Sequence, residues 1–284
     1  MLDRVDRMLL AVHDGEFASA TFAAVLGAET VRQDTLGAPY NARRTVVQAG
    51  DSEFELLEPD GSGLVAQYLE QYREGIFGTG FSTTDIDAVE RSLSSAGVGF
   101  TRYGEQLLIE PDQTRGMRTV IQASRARPRI GLISGLYEVT NIVSNHEEAA
   151  QFYATVFGLD ASRFHPLTSD MWGYTGTLTL FDPPAKLDRI EITQTTEPRK
   201  AMGRFFEKHG SSVYMCFVET EDAVAIQSRL DEREARWSPT GDYPGAGLFI
   251  HPTSLHGMLM GVSFTDVAWR WSGRPELGPV RSSA

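Results

Sequence analysis

The sequence predicts an α+β protein of two similar domains, and three observations predict it. The chain repeats itself at an offset near 131 residues. Each repeat alternates short apolar runs with an Ala-rich amphipathic stretch, the mark of strands and helices packed together. At 284 residues with 41% hydrophobic and 23% charged side chains, the chain can bury two cores.

The first repeated stretch, "RMLLAVHDGEFASATFAAVLGAE" (Arg7 to Glu29), aligns without a gap on "EVTNIVSNHEEAAQFYATVFGLD" (Glu138 to Asp160), both ends lying 131 residues apart. Each reads as a short strand, a polar turn, a helix and a closing V-[LF]-G. Further on, "FELLEP" (Phe54 to Pro59) matches "IEITQT" (Ile190 to Thr195), and "YLE" at Tyr68 matches "FFE" at Phe205, at offsets of 136 and 137. "LIEPDQTRGM" (Leu108 to Met117) then matches "FIHPTSLHGM" (Phe249 to Met258) at offset 141, so the second half carries small loop insertions. Within each half the unit recurs more weakly. "FSTTDIDAVERSLSSAG" and "VYMCFVETEDAVAIQSRLDERE" each read as strand, turn and helix, with Ile86, Val89 and Leu93 at helical spacing. The expectation is four units of one strand, one helix and about three strands, two per domain. The domains are expected at 1–124 and 135–263, with an irregular tail at 264–284 whose Trp269 and Trp271 cap an apolar surface or an oligomer contact.

Composition narrows the function classes. The formal charge of −12 disfavours a nucleic-acid backbone or an anionic membrane as partner. The one concentrated basic run, "RARPRIG" (Arg125 to Gly131), reads as the linker between domains. No apolar run approaches the roughly 18 residues of a membrane helix, and the start has neither signal nor transit character, so a cytoplasmic location is expected. The single cysteine, Cys216, in "VYMCFVE" excludes an internal disulfide framework and reads as a buried thiol. "GDSEFELLEPDGSG" and "TGDYPGAG" read as turns, because neither has the strand-to-helix setting of a phosphate-binding loop.

The repeat and the motifs "AAQFYATVFGLD", "FELLEPDGSGLVAQYLEQYREGIFGTGF" and "IEPDQTRGM" resemble the vicinal oxygen chelate superfamily over roughly residues 5 to 263. That superfamily includes glyoxalases, methylmalonyl-CoA epimerases, extradiol dioxygenases and bleomycin resistance proteins, and the last two motifs are closest to the epimerase branch. The resemblance implies four βαβββ units forming two domains, each a curved mixed sheet around a cup, in the layout of extradiol dioxygenases. It also implies ligand positions on the first and last strands of each unit. The first domain offers Arg7, Glu55, Gly78 and Val120 there, of which only Glu55 suits a metal. The second offers Glu138, Glu191, Tyr214 and Gly261, which departs from the two histidines and one glutamate of an extradiol site.

These substitutions have physical consequences. In the first domain Arg7 and Glu55 can form an ion pair where a metal would sit, which makes that domain metal-free and structural. The functional alternative is that Arg7 binds an anionic substrate group. In the second domain Glu138 and Glu191 fall together, and two carboxylates sharing a site require a raised pKa or a cation between them. The cation could be one divalent metal held by Glu138, Glu191 and His251. Without a metal, Glu138 or Glu191 is a candidate base, and His251 or Tyr214 a donor to a developing enolate oxygen. Trp172, Tyr174 and Phe181 are candidates for an aromatic wall, and His256 for substrate contact, against the alternative that each is structural. Three functions follow: an epimerase, isomerase or lyase acting on a small carbonyl or aromatic metabolite; a non-catalytic small-molecule binding or resistance protein; and an atypical metal-dependent ring-cleaving dioxygenase. Pairing as a homodimer is open to this fold.

Overall fold

The computed structural model describes residues 2–240 and 245–278. In the first domain β1 (Arg4–Ala11), α1 (Gly15–Leu26), β2 (Glu29–Leu36), β3 (Ala42–Ala49) and β4 (Ser52–Pro59) make one unit. Helix α2 (Leu64–Tyr72) joins it to a second unit of β5 (Gly75–Thr83), α3 (Ile86–Ser95), β6 (Thr101–Tyr103), β7 (Gln106–Ile109) and β8 (Thr119–Ala123). The second domain repeats the order: β9 (Ile133–Ile142), α4 (His146–Phe157), β10 (Phe164–Ser169), β11 (Tyr174–Leu180) and β12 (Arg189–Thr195). Then come α5 (Ala201–His209), β13 (Ser212–Thr220), α6 (Ala223–Glu232), β14 (Trp237–Thr240), β15 (Gly247–Ile250) and β16 (Leu259–Ser263). A short helix α7 (Thr265–Arg270) follows. The glycine-containing turn read at Thr240 to Gly247 lies partly outside the described residues.

Each domain is one eight-stranded sheet, ordered β2-β3-β4-β1-β5-β8-β7-β6 and β10-β11-β12-β9-β13-β16-β15-β14. The first and last strands of each unit pair in parallel, β1 with β4 and β9 with β12, while β1–β5 and β9–β13 join the units antiparallel. The repeat reaches the helix ends. Asp14, Asp85, Asn145 and Asp222 each cap a unit helix by accepting from a backbone N–H of its first turn. The glycine of V-[LF]-G, Gly27 and Gly158, takes the left-handed conformation that stops α1 and α4, at φ 70° and 62°.

Strand alternation then divides the side chains. One face of both sheets, with the four unit helices, forms a shared core: α1 packs on α6, α3 packs on α4, and Phe22, Phe54, Phe81, Tyr153 and Phe157 are fully buried there. Truncating one such phenylalanine to alanine would cost about 3–5 kcal/mol. The other face of each sheet is a cup. In the first domain α2 packs on it with Val65, Leu69 and Tyr68, leaving a cavity of about 510 Å³ lined by Tyr40, Leu64 and Leu108. In the second, α7 and the segment after it bring Ala268, Trp269, Trp271 and Leu277 against Tyr137, Met215 and Phe217. Trp269 and Trp271 therefore cap the protein's own cup. Cys216 is buried, and burial pushes its thiol well up, as an inert core thiol requires. Among the described residues no helix is long and apolar enough to cross a membrane.

Candidate active site in the second cup

The register fixes which positions correspond. In the first domain Arg7 pairs with Gly80, which pairs with Val120. In the second, Glu138 pairs with Phe217, which pairs with Gly261. The sequence alignment had put Gly78 and Tyr214 in the middle of these rows. Strand pairing puts Gly80 and Phe217 there instead, and the β9–β13 ladder skips Tyr214 between Val213 and Met215.

In the first cup the row is closed by charge. Arg7 is fully buried and donates to Asp6 and Glu55, with Glu53 2.9 Å away. Arg44 bridges Glu55 (3.1 Å) and Asp34 (2.7 Å), and Arg127 reaches Asp6 at 2.7 Å. Burial alone would raise these acids, yet the guanidinia hold Glu55 and Asp6 below the ordinary carboxylate range. The Arg7 side chain also lies where any side chain at Gly80 would go. Each Arg7 nitrogen is directed at these acids, so Arg7 is their counter-charge, while one buried oxygen, Glu53 Oε2, has no hydrogen-bond partner among the described residues.

The second cup is balanced differently. Arg189 donates through Nε to Glu138 and through Nη2 to the carbonyl of Ala268 in α7, at 3.3 Å. Its Nη1 is buried and has no partner. Glu191, two residues along the same face of β12, accepts from Thr140 Oγ1 (2.6 Å) and from the Tyr174 hydroxyl (3.0 Å). Burial pushes both acids up, and Glu138 adds to the push on Glu191, which rises to about 7. Arg189 compensates Glu138 directly and Glu191 only at a distance, so Glu191 is the member of the pair that keeps a proton.

The other sequence candidates divide clearly. Tyr174 joins the site through Glu191. Trp172 sits half-exposed at the β10–β11 turn, edge-on to Phe249 at 6.2 Å, and Tyr214 packs edge-on to Phe205 at 4.9 Å on the cup wall. Phe181 does not join the wall; it lies in the shared core against Phe81, at 6.1 Å. His251 does not reach the carboxylates, because it follows β15 and its Nδ1 caps the next turn by accepting from the Thr253 N–H. His256 is buried between the domains, bonded to Glu74 (2.9 Å) and Thr21 (3.1 Å), and is a structural tie.

Nor does the set Glu138, Glu191 and His251 suit a divalent metal. Arg189 holds Glu138 Oε2, and Thr140 and Tyr174 hold both oxygens of Glu191. The Phe217 ring covers Gly261 so closely that an added Cβ would fall inside it. Among the described residues no three His, Cys, Asp or Glu side chains form a metal-binding group.

Arg189 and Thr140 were missed in the sequence, although each stands two residues from a singled-out acid and so on its face of a strand. Phe217 was missed because the pairing irregularity hid its register.

Residues 135–266 match the family model of the Glyoxalase/Bleomycin resistance protein/Dioxygenase superfamily. The second domain belongs to that superfamily. The whole chain is similar in fold to a mutant of 4-hydroxymandelate synthase from Streptomyces coelicolor, with TM-score 0.68 and 14% identity over 92% of each chain. It is also similar to a fusion of a xylose isomerase-like TIM barrel with a 4-hydroxyphenylpyruvate dioxygenase, with TM-score 0.61 and 11% identity over 92% of this chain and 48% of that one. At these identities the likeness shows the two-domain fold and not the chemistry. A methylmalonyl-CoA epimerase from Streptomyces coelicolor matches at 23% identity over 44% of this chain and all of its own, with a TM-score of 0.40. No curated protein matches the sequence.

Proposed function

We propose that the protein is an enzyme that moves a proton beside the carbonyl of a small aromatic metabolite in the second cup, by isomerase, epimerase or lyase chemistry. The observation that carries this reading is Glu191: a buried carboxylate raised to about 7, held by two hydroxyl donors. A base is most effective when its pKa lies near the working pH. Glu191 takes the proton from the carbon next to the carbonyl, and the electron pair of that C–H bond moves onto the carbonyl oxygen as an enolate. Arg189 Nη1, the unpartnered buried donor on the same face, donates to that oxygen and stabilises its developing charge in a site sheltered from water. Alternate residues on a strand are about 6.6 Å apart, a separation that long side chains can close around a small carbonyl. Thr140 and Tyr174 fix the carboxylate, and the half-exposed Trp172 and half-buried Phe249 supply apolar walls.

The test is exchange of the acetyl protons of 4-methoxyacetophenone in D2O, followed by proton NMR. Exchange above the buffer rate that is lost in Glu191→Gln and reduced at least about tenfold in Arg189→Met supports the reading. Exchange unchanged in Glu191→Gln would sink it. A second reading, binding without catalysis, is favoured by the Phe217 ring over Gly261, which fills the ligand row with apolar packing. That reading predicts saturable binding of the ketone with no exchange in the wild type. A ring-cleaving dioxygenase shares the fold likeness, but the row Glu138, Phe217 and Gly261 offers it one ligand.

A further inference from the structure

The residues around α5 carry charge that nothing in the first cup parallels. Between Glu197 and Lys208, four cations, Arg199, Lys200, Arg204 and Lys208, stand against two acids, Glu197 and Glu207, in a chain of net charge −12. Among the described residues none of the four forms an ion pair. Lys200 donates to the carbonyl of Asp170, and Arg204 to that of Arg199. The cup-lining cations of the first domain, Arg7, Arg44 and Arg118, all have carboxylate partners.

Two of these cations stand at the rim of the second cup. The Lys200 stem runs against Gly173, in the turn that carries Trp172. Arg204 adjoins Phe205, whose ring packs edge-on to Tyr214 of the cup wall at 4.9 Å. From this rim Tyr174 leads inward: its backbone pairs with Thr195 while its hydroxyl reaches Glu191, which pairs with Leu178 four residues further along β11. Four residues of strand span about 13 Å. The floor has the opposite character, because Glu138 and Glu191 share one guanidinium, and an anion beside them would oppose the ionisation of Glu191.

We infer that the ligand of the second cup is elongated, with an uncharged aromatic carbonyl end beside Glu191 and an anionic group, phosphate or carboxylate, held at the rim by Lys200 and Arg204. The inference rests on the second cup being the ligand site, as proposed above, and adds the polarity and length of what enters it. Exposed cations at a rim contribute modestly each, and they draw anions in by long-range attraction that salt screens.

The experiment compares 4-acetylphenyl phosphate and 4-acetylbenzoate with 4-methoxyacetophenone by isothermal titration, on wild type and on Lys200→Glu/Arg204→Glu. At low salt at least one anionic probe binds about tenfold more tightly than the neutral ketone, as two exposed ion pairs would give. That advantage shrinks as salt is raised and disappears in the double variant; the anion with the larger advantage identifies the rim group. Equal affinity of all three probes, or an advantage that survives charge reversal, overturns the rim assignment while leaving the proton-transfer reading intact. If no probe binds the wild type, the cup is not the ligand site and both fall. Should the double variant fail to fold, the salt dependence on wild type alone decides: an advantage insensitive to salt rejects the role of Lys200 and Arg204.

Discussion

The two cups are built on the same strands in the same register, yet one is sealed by complementary charge and the other is left one positive charge short. In the first, four guanidinia, Arg7, Arg32, Arg44 and Arg127, meet four carboxylates, Asp6, Asp34, Glu53 and Glu55, and α2 packs over part of the remaining space. In the second, Arg189 is the one guanidinium between Glu138 and Glu191, and it keeps an unused donor. A shared fold thus produces a structural ion network in one domain and a proton-holding carboxylate in the other, through a few substitutions on equivalent strand faces.

The largest way to break this comparison is to remove the counter-charge from the sealed cup. Arg7→Met leaves Glu55, Glu53 and Asp6 facing one another with part of their compensation gone. We expect a loss of about 3–5 kcal/mol of stability, the usual cost of stranding a buried charge, read by urea denaturation. Adding Glu55→Gln should restore part of that loss. A change below about 1 kcal/mol would mean that the network is relaxed by water and is not sealed.

A smaller effect separates the cups by pH. Glu191 has a folded pKa of about 7, above its ordinary 4.5, so between those values the native state holds more protons than the unfolded one. The stability it contributes is present below about 4.5 and is lost as pH rises through about 7, amounting to on the order of 3 kcal/mol. Asp188, raised to about 7 by burial while accepting from the backbone of Val5, acts in the same direction. Glu55 and Asp6 act in the opposite one, because their stabilisation is present above the ordinary carboxylate range and lost on acidification through their lowered pKa values. Thermal unfolding should therefore show a decline from pH 5 to pH 7.5 that is shallower in Glu191→Gln. An unchanged slope would remove Glu191 from this account.

Much of the fold was legible in the sequence because a gapless repeat fixes strand, cap, helix and terminating glycine together, and Asp14 with Asn145 or Gly27 with Gly158 have one physical reason each. The Arg7–Glu55 pair was legible for the same reason, since the first and last strands of a unit must be neighbours. The second site was only half legible. Glu138 and Glu191 could be placed by offset, but the pairing irregularity beside Tyr214 shifted the row to Phe217, and no local pattern shows where a strand will slip. Phe181 was misjudged although parity was available: it stands an odd number of residues from Tyr174 and so turns to the other face. His251 and His256 were drawn toward the site by their chemistry, whereas the turn they flank directs one to a cap and the other to the domain interface.

The most direct test of the central claim is a single carboxyl carbon-13 NMR titration, with Glu191 and Glu55 assigned through their Gln variants. The account predicts that Glu191 titrates near 7 while Glu55 in the equivalent strand of the sealed cup titrates below the ordinary carboxylate range. Two glutamates titrating together near 4.5 would contradict it, because the two cups would then be electrostatically alike and the second would hold no base.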